Sequence, residues 1–149
     1  MIRFEYPATV HPAAKFAPRD KGYIVSFFDV PEAHTQAGTA RAALTKAADA
    51  LVAALGGYVE LHRPLPTPSR PKRGQPVVAL PPLAAAKLAL YRAMQEARVS
   101  RVALGKRLGI SEAAVRRMLD LDHRSHIGQI DAALAALGKR LFVEVADAA

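Results

Sequence analysis

The chain has 149 residues, room for one ordinary domain or two small ones, and although 51% are hydrophobic, 31 are alanine and none is tryptophan. Its core must therefore be built from Leu, Val, Ile and helix-packed Ala, and the absence of cysteine excludes a disulfide scaffold and any thiolate-held zinc or iron–sulfur site. The balance of 21 basic against 13 acidic side chains, net +8, points to a polyanion or an acidic protein surface as a partner.

The charge is unevenly placed. Residues 1–60 carry six basic and six acidic side chains and are neutral. Residues 61–82 carry Arg63, Arg70, Lys72 and Arg73 with no acid, and residues 83–149 carry eleven basic and seven acidic, so each of these stretches contributes +4. Two parts with different tasks are expected. No uncharged apolar run approaches the roughly 18 residues of a membrane span, and Met1–Glu5 lacks an apolar leader, so a cytoplasmic chain is expected.

Ile2, Phe4, Tyr6, Ala8 and Val10 alternate with Arg3, Glu5, Pro7 and Thr9, the period of a half-buried strand, with Pro7 marking an edge or bulge. A polar loop ends in the turn signal Asp20-Lys21-Gly22, and Tyr23–Phe28 forms a second strand antiparallel to the first. Thr39 is placed to cap a helix running to about Leu55, with Leu44, Ala47, Ala48, Leu51 and Leu55 on one face and Gly56-Gly57 as its stop. Seven of the eleven prolines fall between 64 and 82. This predicts a loop over Arg63–Arg73, a short strand at Val77–Leu80 and a boundary at Pro81-Pro82.

From Leu83 to Leu141 the texture is helical, with Leu83, Ala86, Leu90, Met94 and Ala97 on the helix period. Ser100 and Ser111 each stand before a short helix; Leu104 and Leu108 share a face of the first, and Val115, Met118 and Leu119 a face of the second. Gly109 suits a sharp turn, and Ile110 is expected to fill the angle between the helices, which together make a helix-turn-helix. A plain αα-corner would have the same caps and apolar faces. It would not account for Arg98, Arg101, Lys106, Arg107, Arg116, Arg117 and Arg124 gathering against only Glu112, Asp120 and Asp122.

In a DNA-binding role the helix Ser111–Leu119 enters the major groove with its N-terminal residues toward the bases. Ser111 then lies at the DNA, the Glu112 carboxylate accepts from cytosine N4, and the Ala113 methyl meets the thymine methyl. Arg116 and Arg117 divide between guanine and phosphate, while Arg101, His123 and Arg124 suit the backbone. His123 and His126 lie three apart but lack the Cys or acidic cluster of a metal site. Ser125 with Ile127–Leu137 opens a further helix closed by Gly138, and Leu141–Val145 is expected to be a short strand pairing across a dimer interface.

Over roughly residues 2 to 145 the chain resembles the HicB-type antitoxins of bacterial toxin–antitoxin pairs. The likeness lies in Tyr23-Ile24-Val25-Ser26-Phe27-Phe28-Asp29-Val30-Pro31-Glu32, then Thr35-Gln36 and Thr39, the helix-turn-helix segment, and Ala135-Ala136-Leu137-Gly138-Lys139-Arg140-Leu141. It implies an α+β fold: a partial ribonuclease-H-like ββαβ domain over 1–80, then an all-helical helix-turn-helix domain over 81–149 with the short C-terminal strand. The first domain would cover the active site of a small HicA-type toxin that cleaves messenger RNA, with Tyr23, Phe28, Asp29 and Glu32 as contact residues. The second would bind operator DNA as a homodimer, reading half-sites about 34–36 Å apart or a multiple of that, with a tetramer through the N-terminal domains left open. Phe28 stands where the family commonly has proline, Ala37-Gly38 replaces a glycine-acid pair, and Arg41-Ala42 replaces early helix acids, so the toxin-facing surface is less acidic than usual.

A ribonuclease-H-type reaction needs three or four converging carboxylates. Glu5 and Asp49 could approach each other, but no third acid joins them, while Asp29 and Glu32 flank Pro31 as turn and contact residues. With no P-loop, dinucleotide fingerprint, nucleophile elbow or zinc motif, neither catalysis nor a cofactor is expected. The alternative is a stand-alone repressor whose N-terminal domain senses a small ligand or another protein. Neither reading assigns a role to the basic, proline-rich loop 63–76.

Overall fold

Pro7 divides the N-terminal alternation into two short strands, β1 (Glu5–Pro7) and β2 (Thr9–Pro12), which belong to different sheets. A residue without an N–H cannot continue a ladder on its donor side, and the chain changes partner two residues after it, at Thr9. The computed structural model describes residues 1–147, so the last two residues of the expected C-terminal domain, 148 and 149, lie outside the described residues. The chain forms two compact units, Met1–Ala85 and a second beginning at Ala86.

In the first unit, β2 and β3 (Tyr23–Ser26) form the expected antiparallel hairpin with Val10 opposite Val25. A strand that the sequence did not announce, β4 (His34–Ala37), adds to β3 with Thr35 opposite Val25, giving the sheet order β2-β3-β4. Its His-Thr-Gln-Ala sequence has no apolar alternation, so pairing to β3 and packing under the following helix create it. β5 (Val77–Ala79) pairs antiparallel with β1, Val78 opposite Tyr6, in a separate two-stranded sheet.

Between β4 and β5 runs α1 (Ala40–Glu60), which begins where Thr39 Oγ1 accepts from the Ala42 N–H at 3.1 Å. Its stripe of Ala43, Ala47, Leu51 and Leu55 is buried, and the helix packs on β3 and β4. Gly56-Gly57 does not stop the helix. Tyr58 lies on the same stripe and is buried, and that burial outweighs the roughly 1 kcal/mol by which each glycine disfavours a helix. The chain leaves the helix at left-handed His62 (φ 54°), with the Arg63 N–H donating back to the Tyr58 carbonyl at 2.9 Å. By length and composition α1, 21 residues with an 18-residue window of mean hydropathy 1.2, is the sort of helix that could cross a bilayer, but its apolar stripe is occupied by the sheet.

The helices that follow are α2 (Pro82–Ala97), α3 (Arg101–Leu108), α4 (Glu112–Leu119) and α5 (Ile127–Ala136). Leu88, Leu90, Leu104, Val115 and Ile130 are fully buried along them. Ser100 caps α3 by accepting from the Ala103 N–H at 3.0 Å, and Ser111 caps α4 by accepting from the Ala114 N–H at 3.1 Å. Gly109 ends α3 in the left-handed conformation at φ 68°, as the sharp turn requires. Ser125 does not cap α5; His126 occupies that position without a side-chain bond, and the Ser125 hydroxyl donates to the Arg117 carbonyl at 3.4 Å. Leu141–Val145 is not a strand in the single chain, where no ladder forms along it, and Phe142, Val143 and Val145 are exposed. Alternating apolar residues make a strand only where a neighbouring strand completes their hydrogen bonds.

A Cβ at Gly57 meets nothing within 4 Å, so Gly57→Ala fits the helix without a clash. It should raise stability by about 0.5–1 kcal/mol, read from the midpoint of urea unfolding.

Candidate functional site

Lys87 sits on the apolar stripe of α2 and is 1% exposed. Its ammonium donates to three backbone carbonyls: Arg117 at 3.1 Å, Asp120 at 2.6 Å and His123 at 2.6 Å. All three donors of the side chain are thereby used, and two of the acceptors lie in the last turn and cap of α4, where carbonyls lack helical partners. Burial pushes the lysine below its ordinary pKa, while the nearby carboxylates of Asp120 and Asp122 act in the opposite direction. One buried cation thus fixes the end of α4 and the backbone on which His123 and Arg124 stand.

The turn between α3 and α4 is set by backbone. A Cβ on Gly105 would lie 2.7 Å from the Ile110 carbonyl oxygen, and the Ile110 N–H donates to the Gly105 carbonyl at 2.9 Å. Only a residue without a side chain lets the turn approach α3 so closely. Ile110 does not fill the angle; it is 40% exposed and edges an open pocket of about 210 Å³ with Leu108, Met118 and Gln129.

On α4 and its flanks, Arg116 and Arg117 are exposed, as are His123 and Arg124, while Ala113 is half-buried. Glu112 is engaged within the protein: its carboxylate lies 3.4 Å from the Arg101 guanidinium and 3.9 Å from that of Arg116. The side chains expected at DNA therefore gather about α4, with Glu112 between two of the arginines and Ser111 serving as the cap.

In the first unit Phe28 is 88% and Tyr23 37% exposed. The two expected contact acids are turned to their own chain. Asp29 Oδ2 accepts from the backbone N–H and the hydroxyl of Ser69, both at 2.9 Å. Glu32 accepts from the Tyr58 hydroxyl at 3.0 Å and lies 3.6 Å from Arg63, whose guanidinium stacks 4.4 Å from the Tyr58 ring centre. A backbone hydrogen bond, then Tyr58 and Arg63, hold the Glu32 carboxyl below its ordinary value against the effect of burial, while burial and then Glu32 push the Tyr58 hydroxyl up. Among the described residues no three His, Asp or Glu side chains come together as a metal site would require.

A family model described as the HicB-like antitoxin of bacterial toxin–antitoxin systems matches residues 5–89. The chain belongs to the HicB-like antitoxin family. It is 40% identical to Antitoxin HicB 2 of Photorhabdus laumondii over 85% of this chain and 90% of that protein. It is 34% identical to Antitoxin HicB of Pseudomonas fluorescens over 97% of this chain and 95% of that one, and 34% identical to Antitoxin HicB of Escherichia coli over 91% and 95%.

Two residues that organise this HicB-like chain were not singled out from its sequence, Lys87 and Gly105. Lys87 had a signal: it is the one charge within Leu83–Leu90 and it shares a helical face with Leu90 and Met94. Lys87→Met keeps the volume but takes a donor from three carbonyls, of which Arg117 keeps the Ser125 hydroxyl and Asp120 keeps the His123 N–H, and should cost about 1–3 kcal/mol in urea unfolding. The Glu32 carboxyl, held below 4.5, stabilises the fold above that value and loses the contribution as pH falls through the lowered one. Glu32→Gln should therefore show a smaller stability difference between about pH 6 and about pH 3 than the parent chain in the same unfolding measurement.

Proposed function

We propose that this HicB-like chain neutralises a small mRNA-cleaving toxin by covering its active site with the N-terminal unit, and represses its own operon by setting α4 into the major groove of operator DNA as a homodimer. The observation that carries the reading is that a family antitoxin segment, residues 5–89, leads into a helical unit whose short, capped α4 bears outward arginines. Arg116 and Arg117 contact base and phosphate, Arg101, His123 and Arg124 hold the backbone, and Ala113 meets a base methyl. Glu112 holds Arg101 and Arg116 in place when DNA is absent and exchanges that role for cytosine when it binds. The neutral N-terminal stretch, with Tyr23 and Phe28 exposed, suits a protein partner, and the helical unit makes repression independent of that contact.

Co-expression with the adjacent small reading frame tests the antitoxin half, and titration of the upstream DNA tests the repressor half. Growth should be restored by this chain, and by its Arg116→Ala and Arg117→Ala variants equally. Each variant should bind the upstream duplex about 10-fold or more weakly, the loss expected of a single base or phosphate contact. Toxicity that persists beside the parent chain contradicts the antitoxin reading, and unchanged DNA affinity in both variants contradicts the placement of α4.

A further inference from the structure

The proline-rich segment 61–76 is not a loose linker. The Tyr6 hydroxyl donates to the Pro66 carbonyl at 2.9 Å, Asp29 holds Ser69 at 2.9 Å, Glu32 holds Arg63 at 3.6 Å, and the Ala8 N–H donates to the Pro76 carbonyl at 2.8 Å. These four attachments strap the segment along the first unit and leave residues 69–74 exposed throughout. The projecting part is itself closed into a turn: the Gln75 N–H donates to the Lys72 carbonyl at 3.0 Å, and the Lys72 N–H donates to Gln75 Oε1 at 2.9 Å.

On that turn stand Arg70, Lys72 and Arg73, in a stretch with no acidic residue from 61 to 82. None of the three side chains makes an ion pair among the described residues, whereas Arg63, Arg92, Arg101, Arg116 and Lys139 do. Three like charges held close on an ordered turn repel one another, and no ion pair among the described residues offsets it. Pinning the turn in advance lowers the ordering cost of binding. A protein partner is a poorer fit, since the arginine, tyrosine and tryptophan anchors of protein interfaces sit in packed, desolvated pockets, and residues 69–74 are exposed throughout with no aromatic side chain among them. A polyanion with regularly spaced charges fits cations that carry no apolar anchor.

We propose that the Arg70–Arg73 turn is a second nucleic-acid contact, gripping the phosphate backbone of duplex DNA without reading its sequence. The proposal rests on the reading that the chain acts on DNA through α4, and adds a contact on the other unit that supplies affinity and not discrimination.

The test uses the full chain with two duplexes, the DNA upstream of its own gene and a scrambled duplex of equal length and composition, by fluorescence anisotropy across salt. The variant R70A/K72A/R73A is compared with K15A/R19A/K21A, which removes the same charge from exposed positions elsewhere on the first unit. The first variant should weaken both duplexes by the same factor and make the salt slope shallower by about 2–3, so that the affinity lost between about 50 and about 200 mM salt shrinks roughly 16- to 64-fold. The second should keep the parent slope. An unchanged slope in R70A/K72A/R73A overturns the proposal, as does an equal loss in the control. Loss confined to single-stranded RNA of the same length, or to the toxin partner, with duplex binding intact, overturns it as well. The double variant R116A/R117A separates this from the α4 reading: if discrimination between the two duplexes survives in it, α4 is misplaced, while the salt slope still decides the turn.

Discussion

Two backbone carbonyls at the end of α4 and one in the loop beyond it converge on one buried ammonium, and the exposed face of that helix depends on it. A helix of eight residues does not hold itself in water, and its last carbonyls have no helical partners. Lys87 supplies a donor to each of three carbonyls from a neighbouring helix and places a positive charge at the negative end of the α4 dipole. Asp120 and Asp122 offset part of the desolvation of that charge. With the Ser111 cap at one end and Lys87 at the other, α4 is held without help from its outer side chains. Arg116 and Arg117 are left exposed on its outer face.

The first unit solves a different problem with the same means. A segment holding Pro64, Pro66, Pro68 and Pro71 cannot satisfy itself with helix or sheet, so side chains from the folded part hold it: Tyr6 at Pro66, Asp29 at Ser69, Glu32 and Tyr58 at Arg63. Two carboxylates that family likeness placed toward a partner thus already serve the fold. Beside them Phe28 is left exposed, while the strapped segment turns Arg70, Lys72 and Arg73 outward.

Local signals were legible and distant ones were not. Thr39, Ser100 and Ser111 announced the starts of α1, α3 and α4 because a cap bonds three residues away, and Gly109 announced a turn because its conformation is its own. β4 went unseen because His34–Ala37 is a strand only through β3, and α1 was cut short at Gly56-Gly57 because the burial of Tyr58 is a property of the packed sheet. The bonds of Lys87 span 30 to 36 residues, beyond any periodic pattern, and the need for glycine at 105 arises from the carbonyl of Ile110 after the chain has turned. Leu141–Val145 shows the converse: a strand pattern that the single chain gives nothing to pair with. The α+β class and the family were legible because Tyr23–Glu32 and the segment from Ser100 to Leu119 are contiguous in sequence.

The proposed division of labour between an N-terminal unit, neutral over residues 1–60, and a basic helical unit is tested most directly by amide chemical-shift mapping of the isotopically labelled chain, titrated with duplex DNA from upstream of its own gene. The largest shifts should fall within residues 100–124, centred on Ser111–Arg117, with a second set at 69–75 and little change across Tyr23–Glu32. Shifts concentrated at Tyr23–Glu32, with Ser111–Arg117 unmoved, would contradict it.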